Sequence, residues 1–210
     1  MEPYLTEEER VEALQRWWKA NNQSVFTGVL AGLAVIAGWN MWQGNKQATA
    51  EQASITFQQM AKATEAKQVD TAAKQAERIV EQYGSTAYAE YARLFLAKFK
   101  AEAGDFAAAK KLLEEELAKS SDESLKTLAR LRLGRVMLAA GEIEPALKLL
   151  ESQASDKLGK FAGLYEELRG DLFVAAKRPG DARKAYERAK SLGEANPILD
   201  LKLHDLPAAS

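Results

Sequence analysis

The sequence predicts an all-α protein in which one apolar, membrane-crossing helix precedes a repeat of helical hairpins. Three observations carry that reading. By count, 38 of 210 residues are Ala against 5 Pro and 13 Gly, which favours helices joined by short turns. Ser24 to Trp42 is a run of 19 residues without a charge. Ala76, Ala109, Ala146 and Ala182 then recur along the chain at spacings of 33, 37 and 36. Composition, 47% apolar and 28% charged, is that of a chain that packs a core. No cysteine is present, so disulfides, thiolate metal sites and cysteine nucleophiles are excluded. The net charge of -1 gives a polyanion such as nucleic acid nothing to bind.

Residues 1–23 read as an amphipathic tail. Thr6 with Glu9 three residues on is a capping box, followed by Val11, Leu14, Trp17 and Trp18 on one side of a helix suited to a membrane surface. Residues 24–42 read as a transmembrane helix of about 28 Å, the hydrocarbon thickness of a bilayer. Trp17 and Trp18 precede it and Trp39 and Trp42 close it, at the two headgroup levels that amphipathic rings prefer. A buried core helix is one alternative. A cleaved signal peptide is the other, because Ala48, Thr49 and Ala50 form a small-x-small pattern. The tail, however, carries five glutamates against Arg10, Arg16 and Lys19, where a signal peptide has a short basic region. Those three cations against Lys46 beyond the span place the tail in the cytoplasm and residues 43–210 outside, in the periplasm of a Gram-negative cell. Gly28 and Gly32 form a G-x-x-x-G pair through which a second membrane helix can approach.

Residues 43–210 show no strand-like alternation. One unit sets Leu133 and Gly134 before Gly141, with Ala146 twelve residues after Gly134 and then Leu150. Another has Gly170, Ala182 and Tyr186; a third has Ala97, Gly104, Ala109 and Leu113; a weaker first unit is read at Ala76 and Val80. Small residues at the first and third marks let two helices cross closely, and the large residue four later plugs the gap. This is a tetratricopeptide-like helical-repeat domain, with turns expected at Gly104–Asp105, Gly141–Glu142 and Gly180–Asp181. A helix starting near Gln47 should lead into it.

No nucleophile–base pair, P-loop, zinc motif or other cofactor signature appears, and the one histidine, His204, stands six residues from the end. The chain is therefore read as no enzyme, without catalytic residues, metal ligands or cofactor. The run Glu114, Glu115, Glu116 beside Lys110 and Lys111 reads as a solvated helix face. The candidate working surface is the groove along the first helix of each hairpin: Tyr91, Leu94, Lys98 and Ala101; Leu128, Leu131, Arg135 and Leu138; Leu164, Glu167, Asp171 and Val174. Its mixture of apolar residues and charges of both signs suits an extended or helical segment of a partner protein. Equally, these leucines pack against neighbouring helices, or Ile198 to Leu203 fills the groove in cis.

The order of several short motifs resembles the YfgM family of bacterial inner-membrane proteins, ancillary subunits of the SecYEG translocon. The motifs are Val11, Glu12, Arg16, Trp17 and Trp18; Gly38, Trp39 and Trp42; Ser121, Asp122, Glu123, Leu125 and Lys126 before Leu131, Arg132 and Leu133; Leu168, Arg169 and Gly170; Gly180, Asp181, Ala182 and Arg183; and Lys202. Asn40 stands where the family pattern allows a basic residue. The resemblance covers essentially the whole chain. It implies a periplasmic tetratricopeptide domain, association with SecYEG, and partnership with the periplasmic chaperone PpiD in the exit of translocated proteins. A tetratricopeptide adaptor of another envelope assembly, and a membrane-bound regulator acting through its cytoplasmic tail, are the other readings.

Overall fold

The computed structural model describes residues 6–151, 158–193 and 196–207, and among these every regular element is helical. The chain divides after Glu51 into two compact units, each described by itself.

Helix α1, Glu7–Glu65, begins in the first unit. Half of the expected capping box is present, for the Thr6 backbone N–H donates to Glu9 Oε2 at 2.9 Å. Where the sequence suggested a tail helix, a span and a further helix from near Gln47, the backbone runs on as one helix. It contains no proline, and Thr27 and Thr49 fold their hydroxyls back onto the carbonyls of Gln23 and Asn45 at 2.8 Å instead of competing with the helix ladder. Phe26, Val29, Leu30, Leu33, Val35 and Ile36 are all exposed. The helix holds an 18-residue window of mean hydropathy 1.5, long and apolar enough to cross a membrane, and none of that window is buried. This stretch is therefore no part of the core that the described residues form.

Among its described residues the second unit stacks four hairpins. The stretch of α1 from Gln52 onward pairs with α2, Val69–Gln82; α3, Ala87–Glu102, with α4, Phe106–Lys119; α5, Glu123–Ala139, with α6, Ile143–Glu151; and α7, Ala162–Ala175, with α8, Pro179–Ser191. A short 3₁₀ turn at Gly159–Phe161 leads into α7, and α9, Pro197–His204, follows the last hairpin.

Each hairpin turns the same way. The residue after the first helix has a left-handed backbone: Lys67 (φ 57°), Gly104 (81°), Gly141 (77°) and Lys177 (58°). At each, the following N–H reaches the carbonyl five residues back: Gln68 to Ala63, Asp105 to Lys100, Glu142 to Met137 and Arg178 to Phe173, at 2.8–2.9 Å. That is the Schellman closure of a helix end. The turn residues step by 37, 37 and 36, and Ala72, Ala109, Ala146 and Ala182, each fully buried, step identically. Two expectations are thereby corrected. Gly180 lies inside the first turn of α8, not at the hairpin turn, which Lys177 occupies. The alanine of the first hairpin in register with Ala109 is Ala72, and Ala76 falls one helical turn later.

That register exposes a size exchange. In that register, sixteen residues apart in each hairpin, stand Met60 and Ala76, Ala97 and Leu113, Gly134 and Leu150, Gly170 and Tyr186, all buried. As the first-helix residue shrinks, its second-helix counterpart grows. A Cβ on Gly134 would lie 3.0 Å from Leu168 Cδ2 of the next hairpin and 3.3 Å from Leu150 Cδ2, and one on Gly170 would lie 2.2 Å from Tyr186 Cε1. Interiors are packed to crystal density, so the sum of the pair is constrained more tightly than either member.

The core forms two clusters, one under the first two hairpins around Met60, Ile79 and Phe99, the other from α3 to α9 around Leu113, Leu131, Leu168 and Tyr186; Leu112 packs against both. Polar ties bind successive hairpins. Arg132 donates to the Leu94 carbonyl at 2.8 Å and Tyr165 to the Thr127 carbonyl at 3.0 Å, each reaching 38 residues back along the chain. The acidic run of α4 is not wholly solvated as expected. Glu116 is completely buried and accepts from Arg93 Nε at 2.7 Å, since α4 turns that one carboxylate towards α3.

Candidate functional site

The first helices α3, α5 and α7 bring the expected groove residues onto adjacent positions but not onto one surface. Tyr91 and Val174 are exposed, as are Lys98 and Arg135; Ala101, Leu128, Leu138, Leu164 and Asp171 are half-buried. Leu94, Leu131 and Glu167 stand one turn before the groove in register, and their side chains are buried. Leu94 and Leu131 belong to the core, while Glu167 is held in an ion pair.

Two recesses separate along this row. Between α3 and α5 a groove of about 380 Å³ is lined by Ala97, Lys98, Ala101, Glu102, Leu113, Arg132, Arg135 and Val136. Its walls carry three cations and one carboxylate above an apolar floor. Burial, and then the neighbouring charge of Arg135, lower the pKa of the Arg132 guanidinium. Between α7 and α9 a second recess of about 310 Å³ is lined by Asp171, Val174, Tyr186, Lys202, Asp205 and Leu206.

Helix α9 closes that second end. Leu199 is buried and Leu203 packs beside it, while Lys202 Nζ donates to Glu167 Oε1 at 2.7 Å and Asp171 Oδ2 at 2.9 Å. Tyr186 donates to Asp171 Oδ1 at 2.7 Å. Burial works against the Lys202 ammonium, but the bonds and charges of Asp171 and Glu167 outweigh it and hold its pKa above the ordinary lysine value. Burial, with Asp171 next, raises that of the Tyr186 phenol. The segment from Ile198 to Leu203 thus covers the Glu167–Asp171 end of the row in cis, with Ile198 and Leu201 left exposed.

Sequence reasoning missed Arg132 in the first recess and Lys202 in the second. A signal for Lys202 exists: Arg93, Arg130, Glu166 and Lys202 follow one another at 37, 36 and 36 residues, so the charged register of the first helices continues into α9. On the apolar stretch of α1, Gly28 and Gly32 are exposed, and a Cβ on either would meet nothing within 4 Å.

Four in-register helical hairpins with a grooved face of first helices define a class of protein, and the chain belongs to the tetratricopeptide repeat-like domain family, which matches residues 15–208. Within it, the chain is similar to proteins named ancillary SecYEG translocon subunit. It is 32% identical over 126 residues to that of Haemophilus influenzae and 33% over 131 residues to that of Escherichia coli. These stretches cover 59% and 61% of this chain and only 60% and 61% of the relatives. The subunit of Aggregatibacter actinomycetemcomitans is 28% identical over 204 residues, 96% of this chain and 98% of that one. The resemblance drawn from the short motifs is borne out by these relatives. Among solved structures, Pseudomonas aeruginosa pilF superposes with a TM-score of 0.62 at 19% identity, over 75% of this chain and 68% of that one. MamA from Desulfovibrio magneticus gives 0.59 at 14%, over 74% and 83%. Both share the fold.

Proposed function

We propose that this chain is a non-catalytic interaction protein anchored in the bacterial inner membrane, an accessory of the SecYEG translocon. The observation that carries the reading is the similarity to the Aggregatibacter subunit, which runs nearly end to end in both chains and so takes in the apolar helix as well as the hairpins. Residues 1–23 are its cytoplasmic tail, 24–42 its transmembrane helix and 43–210 its periplasmic domain. The exposed apolar side chains of α1 and the excess of Arg10, Arg16 and Lys19 over Lys46 support that topology. The four-residue spacing of Gly28 and Gly32 supports a contact with another membrane helix. The repeat domain binds a protein partner along the first-helix row and, following the family resemblance, works beside PpiD as translocated proteins leave the channel.

Co-purification of the tagged chain in mild detergent tests the association: recovery of SecY and PpiD supports it, and their absence beside a different envelope assembly overturns it. Protease added to spheroplasts tests the topology. The repeats should be digested, and protection until the inner membrane is lysed reverses the orientation.

A further inference from the structure

Charge along the first-helix row is answered at one end and unanswered at the other. In register, Lys98, Arg135 and Asp171 occupy the same position of α3, α5 and α7, one period apart. Asp171 is supplied with a cation by Lys202 and with a hydroxyl by Tyr186, both from within the chain. Lys98 has only Glu102 on its own helix, at 3.7 Å with both side chains about half exposed, which is worth little in water. Arg135 has no ion-pair partner among the described residues and is exposed. Arg132 between them is held to the Leu94 carbonyl, a neutral acceptor that leaves its charge uncompensated. Beneath these cations lie Ala97, Leu113 and Val136, all buried, forming a narrow apolar floor. The chain as a whole carries a net charge of -1, so this is a local concentration of cations and no general basicity.

We infer that the groove between α3 and α5 receives an acidic segment of a partner protein, whose side-chain carboxylates meet Lys98 and Arg135 while an intervening apolar side chain lies on Ala97, Leu113 and Val136. The guanidinium of Arg135 offers paired N–H donors to a carboxylate, and Lys98 adds a mobile point charge on the opposite wall. Complementary charge fixes which segment enters and in which register, while the apolar floor supplies contact area. The inference rests on the proposed role of the row as a partner-binding surface and names the chemistry of its occupant.

The test uses the full chain in nanodiscs of zwitterionic lipid and two fluorescein-labelled, C-terminally amidated nine-residue peptides: one alternating Glu with Val, the other with Gln in place of every Glu. Anisotropy against empty nanodiscs should show the Glu peptide binding at least tenfold more tightly than the Gln peptide, with the difference collapsing in high salt. The double variant Lys98→Gln, Arg135→Gln, whose melting should match the parent because both side chains are exposed, should bind the two peptides alike. Equal binding of the two peptides by the parent overturns the acidic preference while leaving a partner groove in place. A preference that survives in the double variant locates it elsewhere and also overturns the inference. Binding of neither peptide removes the groove as a peptide site, whereas the translocon association is judged separately by co-purification.

Discussion

The backbone of Gly170 lies flat against the ring of Tyr186, so closely that a Cβ at position 170 would sit 2.2 Å from Cε1. Tyr186 has nowhere to retreat, because it is 2% exposed and its hydroxyl is tied to Asp171. Gly170→Ala should therefore destabilise the repeat domain by about 2–4 kcal/mol despite the higher helix propensity of alanine. Thermal melting of the full chain in detergent checks this. Adding Tyr186→Leu should recover a large part of the loss, as a non-additive double-mutant cycle; strictly additive losses would show that the two residues do not share the space.

The inverted pair in the first hairpin makes a sharper demand. Met60→Ala should cost about 2–5 kcal/mol by opening a cavity, and Ala76→Leu about 1–3 kcal/mol by overfilling the same crossing. Combined, they recreate the arrangement of Ala97 and Leu113. The double variant should melt above either single one.

Lys67 and Lys177 hold a left-handed backbone that glycine adopts without penalty. Lys67→Gly and Lys177→Gly should each raise stability by about 1 kcal/mol, and Gly104→Ala and Gly141→Ala should each lower it by about as much. Denaturant midpoints at constant slope give the comparison.

Arg93 and Glu116 are buried together, and Glu116 Oε1 has no hydrogen-bond partner. Glu116→Leu leaves the buried Arg93 guanidinium without its hydrogen-bond acceptor and should cost about 3–5 kcal/mol, whereas Arg93→Met with Glu116→Leu should return close to the parent. Burial, only partly offset by Arg93, raises the Glu116 carboxyl above its ordinary 4.5. The folded state thus holds that proton more tightly than the unfolded state does. The associated stability is present below the ordinary value and is lost as pH rises through the raised one. The disadvantage of Glu116→Gln relative to the parent should accordingly shrink from acid to neutral pH.

If α1 spans the membrane as proposed, replacing both Gly28 and Gly32 with Leu should weaken recovery of a membrane partner while leaving insertion intact, because Leu is the better lipid-soluble residue. Unchanged co-purification would reduce the pair to coincidence.

How far the sequence could be read follows from what each feature depends on. The apolar run and the marks at Gly134, Ala146 and Leu150 are local patterns found where expected, and of the capping box at Thr6 and Glu9 one of the two bonds is present. The first hairpin was misaligned because its size pattern is reversed: a search for small residues on the first helix passes over Met60 and settles on the wrong alanine. Lys177 was missed as a turn because glycine is the usual occupant, and Gly180 stood near enough to take its place. Burial of Glu116 and of Leu94 was hidden for a different reason. The charged residues of α4 look alike in sequence, and only the crossing of α3 and α4 decides which one faces inward. Within the candidate groove, the same ambiguity separates exposed Arg135 from buried Leu131, four residues away on one helix.

The pairing of Lys202 with Glu167 and Asp171 also bears on the fate of incomplete chains. A product that ends before Pro197 contains every hairpin, yet it leaves a buried carboxylate and its neighbour without their cation, and Tyr186 and Asp171 without their cover. Such a fragment should open more readily at its last hairpin, which limited proteolysis of the truncated and full chains would compare. Helix α9 thus completes the charge pairing and the cover of the last hairpin, two things the hairpin cannot supply for itself.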